Sequence, residues 1–501
     1  MPSDFLTEHR QRFCEFNSQL NREQYLFHSG QKEHPETKYL YSEFSDLFSA
    51  VTIAALQKEL AATSLARETD QAAIKLLLAN ARHEKLQAQI RDLDEEIKDY
   101  EAHATIIYEG ERLSFHTTSA KVKHEPDPKK RHDLSARRAE IIKGGQDLRA
   151  ERLEKLHAAA GNSGSENYLA LYQESRGIDY TKLAGQMQQF LSFTESKYVA
   201  VFSAHLLQTA HIALDEATQA DLAYLQQLKK FAPHFPAWQL LPVYRETFSG
   251  LGISTYKQTN IVLDDQSRVQ KNVKSAHFPL LVPDEIQIVF TPADGQRKFQ
   301  ALLHEAGHAQ QFAWTSRHLF PEFQFTGDGA TREAFALLFE ALVDDERWLA
   351  DTLHFHESRD FRHAQAVQKL MRVRRYAAKL NYEVELHAGK LATTAGARYA
   401  ELLTDAVRVK YDDTEHLRDV SEAFYAADFL RACAFEAQLR EQLKTKYGSR
   451  WWTARKAGET LIDLWNTGGR YKTEELVKMI DLGELSFDWL AEDLLTGIGE
   501  K

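Results

Sequence analysis

Apolar residues recur along most of this chain every three or four positions, the period of helices that bury one face. Leu86, Ile90, Leu93 and Ile97 follow that spacing with charged residues on the remaining faces, so residues 50–100 read as long helix. The seam suits a helical hairpin or coiled-coil arm, or an amphipathic helix packed on its own domain. The stretch ATIIYEGERLSFHT (104–117) instead alternates, and EPDPKKRHD (125–133) reads as an exposed turn before the helices resume near Leu134. AAAGNSGSENY (158–168) is the most linker-like passage and places a boundary between an N-terminal helical region, 1–160, and a second region, 161–501. Helical period returns over 180–240. FSGLGISTYKQTNIVLDD (248–265) predicts a small hairpin, and DEIQIVF (284–290) is the clearest strand. Beyond Phe299 nearly everything reads helical, with Gly468 and Gly469 as a helix stop. The predicted fold is mainly α with a small β-sheet.

Composition narrows the function. A chain of 501 residues, 43% of them hydrophobic, can bury a sizeable core. Its formal net charge of -11 offers no basic footprint for a phosphate backbone, which argues against nucleic acid as a partner. Cys14 and Cys433 are the only cysteines, too few for a disulfide framework, and they fit a reducing compartment. The charged start, MPSDFLTEHRQRF, lacks the apolar run of a signal peptide, and no segment reaches the roughly 18 apolar residues of a membrane span. A cytoplasmic location is the resulting expectation.

The chemistry concentrates in ALLHEAGHAQQ (301–311). Four positions apart on a helix, His304 and His308 share a face and can direct both imidazoles at one metal ion. Glu305 projects nearly the same way, placed to take a proton from water without ligating the metal. That is the donor set of a zinc hydrolase. The flanking residues continue a largely apolar helix. Gly307 costs such a helix roughly 1 kcal/mol against alanine, which suggests close packing at that turn.

A catalytic zinc needs a third protein ligand. The metzincin pattern is excluded, because Gln311 and Trp314 stand where it requires glycine and histidine. The next acidic residues are Glu322, Asp328, Glu333 and Glu340. In GDGATREAFALLFEALVDD (327–345) a loop leads into a helix with Glu333 in its N-terminal part, at the start of the apolar run, and Glu340 two turns further on the same side. Glu333 is therefore the expected ligand, and Glu340 suits an acceptor for a ligating imidazole.

LLHEAGHA, the Glu333-Ala334 pair in TREAFALLFEAL, and the preceding FPLLVPDEIQIVF resemble the thimet oligopeptidase and oligoendopeptidase F group of zinc peptidases, with angiotensin-converting enzyme a more distant cousin. The likeness covers roughly 240–500. It implies one zinc on His304, His308 and Glu333, with Glu305 as general base and proton shuttle. It also implies a helical, two-lobed fold around a deep channel that admits short peptides, and a strand at Ile286–Phe290 pairing with the substrate backbone. The N-terminal helical region, 1–160, is a candidate lid. One departure stands out. The family's C-terminal segment carries a histidine and several tyrosines that stabilise the oxyanion. In DVSEAFYAADFLRACAFEAQL (419–439) only Tyr425 matches, Phe429 and Ala432 stand at the later tyrosine positions, and the histidine position falls near Val420. His416 could substitute only with a different loop. Tyr425 is the candidate oxyanion donor. The resulting expectation is a soluble zinc oligopeptidase acting on short peptides. The alternatives are a dipeptidyl carboxypeptidase or carboxypeptidase on the same scaffold, or a non-catalytic, zinc-containing peptide-binding protein.

The remaining signals read as structural. The tryptophans of GSRWW (448–452) suit packing, His277 in SAHFP suits a structural histidine, and His354 and His356 suit the surface.

Overall fold

The helical period of residues 50–100 resolves into two helices. In the computed structural model, which describes residues 3–391 and 394–499, Ala50–Ala62 stops at Thr63 and Glu68–His103 runs for 36 residues. Arg67 then pairs with Asp70 in the new first turn, at 3.1 Å. Leu86, Ile90 and Leu93 are buried along the longer helix, so its seam packs inside the protein. The fold is mainly α, and two small sheets complete it among the described residues.

The alternating stretch forms an antiparallel pair, β1 (Thr105–Tyr108) with β2 (Glu111–Ser114). The second sheet holds β3 (Ile261–Asp264), β4 (Ala276–Leu281) and β5 (Glu285–Val289), in the order β3-β5-β4. The hairpin expected within 248–265 does not form. A helix occupies Leu240–Gly250, and the one strand that follows, β3, pairs in parallel with β5. Parallel partners need a crossover between them, and here β4, antiparallel to β5, lies in it. Ile286, Ile288 and Val289 are fully buried, as a central strand covered on both faces requires. The strand expected to pair with substrate, Ile286–Phe290, thus already has a neighbour on each side. The sheet's outer edges belong to β3 and β4.

Two compact units divide the chain. The first comprises Met1–Arg82, Lys229–Arg362 and Arg431–Leu490; it contains the β3-β5-β4 sheet and the HExxH helix. The second comprises His83–Leu228, His363–Leu430 and Ala491–Lys501. Position 160 lies inside the second unit, near the end of a helix, Gln146–Asn162. The linker-like glycines and serines therefore close a helix and turn the chain toward the next one.

In the first unit the N-terminal helix, Asp4–His28, begins at Ser3, whose side chain accepts the Leu6 N–H at 3.2 Å. It packs on β4: Asn21 Nδ2 donates to the Pro279 carbonyl at 3.1 Å and Ser18 Oγ to that of Leu280. Arg10, stacked over Phe320, meets buried Glu322 at 2.7 Å. Phe335, Phe339, Trp451 and Trp465 form a fully buried aromatic group. With Trp452 also buried, the tryptophans of GSRWW are packing residues, as their sequence context suggests.

Candidate metal centre

The HExxH motif lies on a helix, Gln296–Trp314, buried from Ala306 to Ala313. Against it runs the helix Gly329–Glu340. A Cβ on Gly307 would stand 2.7 Å from both Ala336 Cα and the Phe335 carbonyl oxygen, so the two backbones touch at this turn. No larger residue permits that approach, and it brings the carboxylates of one helix to the imidazoles of the other.

The start of the second helix is tied down from several directions. Asp328 caps it, accepting the Ala330 N–H at 3.1 Å. The same buried carboxylate takes Arg431 Nη2 at 2.6 Å and the Thr473 N–H at 2.9 Å. Burial opposes its ionisation, but the Arg431 guanidinium and these hydrogen bonds hold it well below the usual carboxylate range. Gly469 lies directly against the approaching loop, where a Cβ would land on the Thr326 carbonyl. Arg332 folds back to donate to the Phe325 carbonyl at 2.9 Å and stacks over Phe312 of the motif helix, 4.6 Å from its centroid. The glycines expected to stop a helix therefore also brace the one that carries Glu333.

These anchors deliver His304, His308 and Glu333 to one point. Their ligand atoms all lie within 4.8 Å of one another, the one such group of three or more among the described residues. Nε2 of His304 stands 3.8 Å from Glu333 Oε1, and Nε2 of His308 stands 3.6 Å from Oε2. Such separations are too long for hydrogen bonds. They sit just above the roughly 3.4 Å between neighbouring ligands of a tetrahedral centre with bonds of about 2.0–2.1 Å. Nδ1 of His308 is buried with no hydrogen-bond partner, so this nitrogen lacks the polar contact that a core histidine would make there. His304 differs: its Nδ1 meets Glu340 Oε2 at 2.9 Å, which leaves Nε2 as the acceptor nitrogen. The donor set fits a metal ion.

The surrounding charges act on the two imidazoles in opposite senses. Burial disfavours protonation of both imidazoles, yet Glu340, Glu333 and Glu305 outweigh it at His304 and raise its pKa to about 9. At His308 burial prevails and lowers the value to about 4. Glu305 is buried too, but the hydrogen bond to His277 and the neighbouring histidines keep its carboxylate below its ordinary range.

The other acidic candidates are accounted for: Glu322 pairs with Arg10, Asp328 with Arg431, and Glu340 with His304 Nδ1. His277, which suits a structural histidine by sequence, joins the site in the structure. It lies on edge strand β4, with Nδ1 2.7 Å from Glu305 Oε2 and its ring stacked on His308 at 4.4 Å. Its place on a strand shortly before the HExxH helix is the only sequence signal for it. Tyr425 belongs to the second unit, where it begins the helix Tyr425–Tyr447, 41% exposed and 6.3 Å from the Tyr376 ring. His416 contacts the Asp413 carbonyl at 2.7 Å, and His354 and His356 are exposed. No helix among the described residues is long and apolar enough to cross a membrane. Neither a protein-family model nor a curated protein matches this chain.

Proposed function

We propose that this chain is a zinc-dependent metallopeptidase, an oligopeptidase that hydrolyses short peptides. The carrying observation is Glu305, which stands next to the three-ligand group, lies outside it, and turns its carboxylate to His277. A structural metal has no use for such a neighbour, whereas a hydrolase needs a base. Two imidazoles and one carboxylate suit zinc, which supplies Lewis acidity toward a water and a scissile carbonyl. His304, His308 and Glu333 hold it, and Glu340 fixes the His304 tautomer. Glu305, ionised, accepts the proton of the attacking water and returns it to the leaving amine. An oxyanion donor at Tyr425 rests on the family resemblance alone; where such a donor acts it contributes about 3 kcal/mol. The restriction to short peptides, within a two-lobed channel, rests on the family resemblance.

Metal analysis by mass spectrometry, with cleavage of a mixed peptide library, tests the reading. One zinc per chain, lost in Glu333→Ala, together with chelator-sensitive cleavage that Glu305→Gln abolishes while keeping its zinc, supports it. A Glu305→Gln variant as active as wild type would sink it.

A further inference from the structure

We propose that His277 is a positioning residue for Glu305, held in register by the N-terminal helix. This inference rests on the peptidase reading for its kinetic consequence, though not for the contact itself. The contact is direct, Nδ1 to Oε2 at 2.7 Å, between side chains that are 23% and 15% exposed. An ionised carboxylate only accepts hydrogen bonds, so Nδ1 carries the proton and donates. A glutamate side chain has three rotatable torsions, and a single short, charge-assisted hydrogen bond fixes where its carboxylate sits. The same imidazole lies flat against His308, 28° from parallel, and 5.8 Å from Phe312. Its own plane is thus set by the motif helix that it serves.

What holds His277 in place is strand β4, paired on one side with β5, opposite Ile288. The N-terminal helix secures the strand on both flanks of His277. Upstream, His28 Nε2 meets the Lys274 carbonyl at 2.8 Å, and the Asn272 N–H reaches the His28 carbonyl at 2.9 Å. Downstream, Asn21 and Ser18 take the carbonyls of Pro279 and Leu280. Between them Tyr25 and His28 pack on Phe278. Residues 4–28 thereby act at a distance on the orientation of Glu305.

The test uses the full chain, loaded with zinc, and two substitutions. His277→Phe keeps a ring against His308 and removes the donor. His277→Asn restores a donor near the Nδ1 position. We expect His277→Phe to lower kcat by on the order of 10- to 100-fold with KM and zinc stoichiometry unchanged, and His277→Asn to recover most of the loss. A readout independent of turnover is the low-field imidazole N–H resonance of His277 in protein labelled with 15N-histidine, assigned by its absence in His277→Asn. It should disappear or move upfield in Glu305→Ala. A resonance indifferent to Glu305→Ala, or an Asn variant as impaired as the Phe variant, overturns the proposal. Should wild type cleave no peptide at all, the peptidase reading falls, and the resonance alone decides whether His277 holds Glu305.

Discussion

Gly307 sets the separation of the two helices that bring the candidate ligands together. By propensity alone, Gly307→Ala would favour the helix by roughly 1 kcal/mol. The added Cβ, however, meets backbone atoms at 2.7 Å, which cannot turn aside as a side chain can, and overpacking of this kind costs about 1–3 kcal/mol. The variant should unfold at lower denaturant and surrender zinc to a weaker chelator. An unchanged midpoint would show that the helices have room to spare. Glu340 acts on the site differently. Its carboxylate meets Nδ1 of His304, and Glu340→Gln keeps an acceptor there while deleting the charge. Zinc affinity, read by competition with a chromophoric chelator, should fall on the order of 10- to 100-fold. Equal affinity would remove Glu340 from the site.

The helix Gly329–Glu340 is the element on which the arrangement depends, and Asp328 fixes its beginning. Asp328→Asn retains a cap for Ala330 but leaves the buried Arg431 with less than its full complement. Breaking such a buried pair costs about 3–5 kcal/mol, and a thermal melt should register it. The folded carboxyl titrates below its unfolded counterpart. Its contribution is therefore complete above the unfolded value of about 3.9 and fades as pH falls below that, so wild type and variant should converge in stability in strong acid. Elements of this kind were legible in the sequence: the apolar period marked the helices, the HExxH spacing marked two candidate ligands, and the position of Glu333 at the start of an apolar run marked the candidate third. The cost of Gly307 inside a helix also announced a close approach. Pairings between distant segments were not legible. The parallel partnership of β3 with β5, the grip of Arg431 on Asp328, and the approach of His277 to Glu305 all depend on tertiary placement, to which local periodicity is blind.

Several histidines are buried in neutral form across the molecule. Burial lowers His9 and His83 to about 4, and His387, enclosed beside His157, lies well below its ordinary value. The unfolded chain protonates all three below about 6.5, so it binds more protons than the folded one in that range. Their contribution to stability should fall as pH drops from about 6.5 toward 4 and change little above 7. Urea midpoints at pH 7, 6 and 5 measure this. A His9→Asn, His83→Asn double variant should lose less stability than wild type between pH 7 and 5, and a wild type that loses no more than the variant would contradict the sign.

The first unit is assembled from three stretches of sequence, the last of which ends at Leu490. On the ribosome that order imposes a schedule. The helix Asp4–His28 precedes the other parts of this unit, yet its partners on β4, and Glu322 for its Arg10, are translated some 250 to 310 residues after it; Arg431 and Thr473, which anchor the helix bearing Glu333, come later still. At about 5–20 residues per second, the amphipathic first helix waits on the order of tens of seconds for the surfaces it will cover. Nascent chains stalled before residue 470 should therefore lack a completed His304, His308 and Glu333 group, and during synthesis the apolar faces of this unit would be natural clients for chaperones.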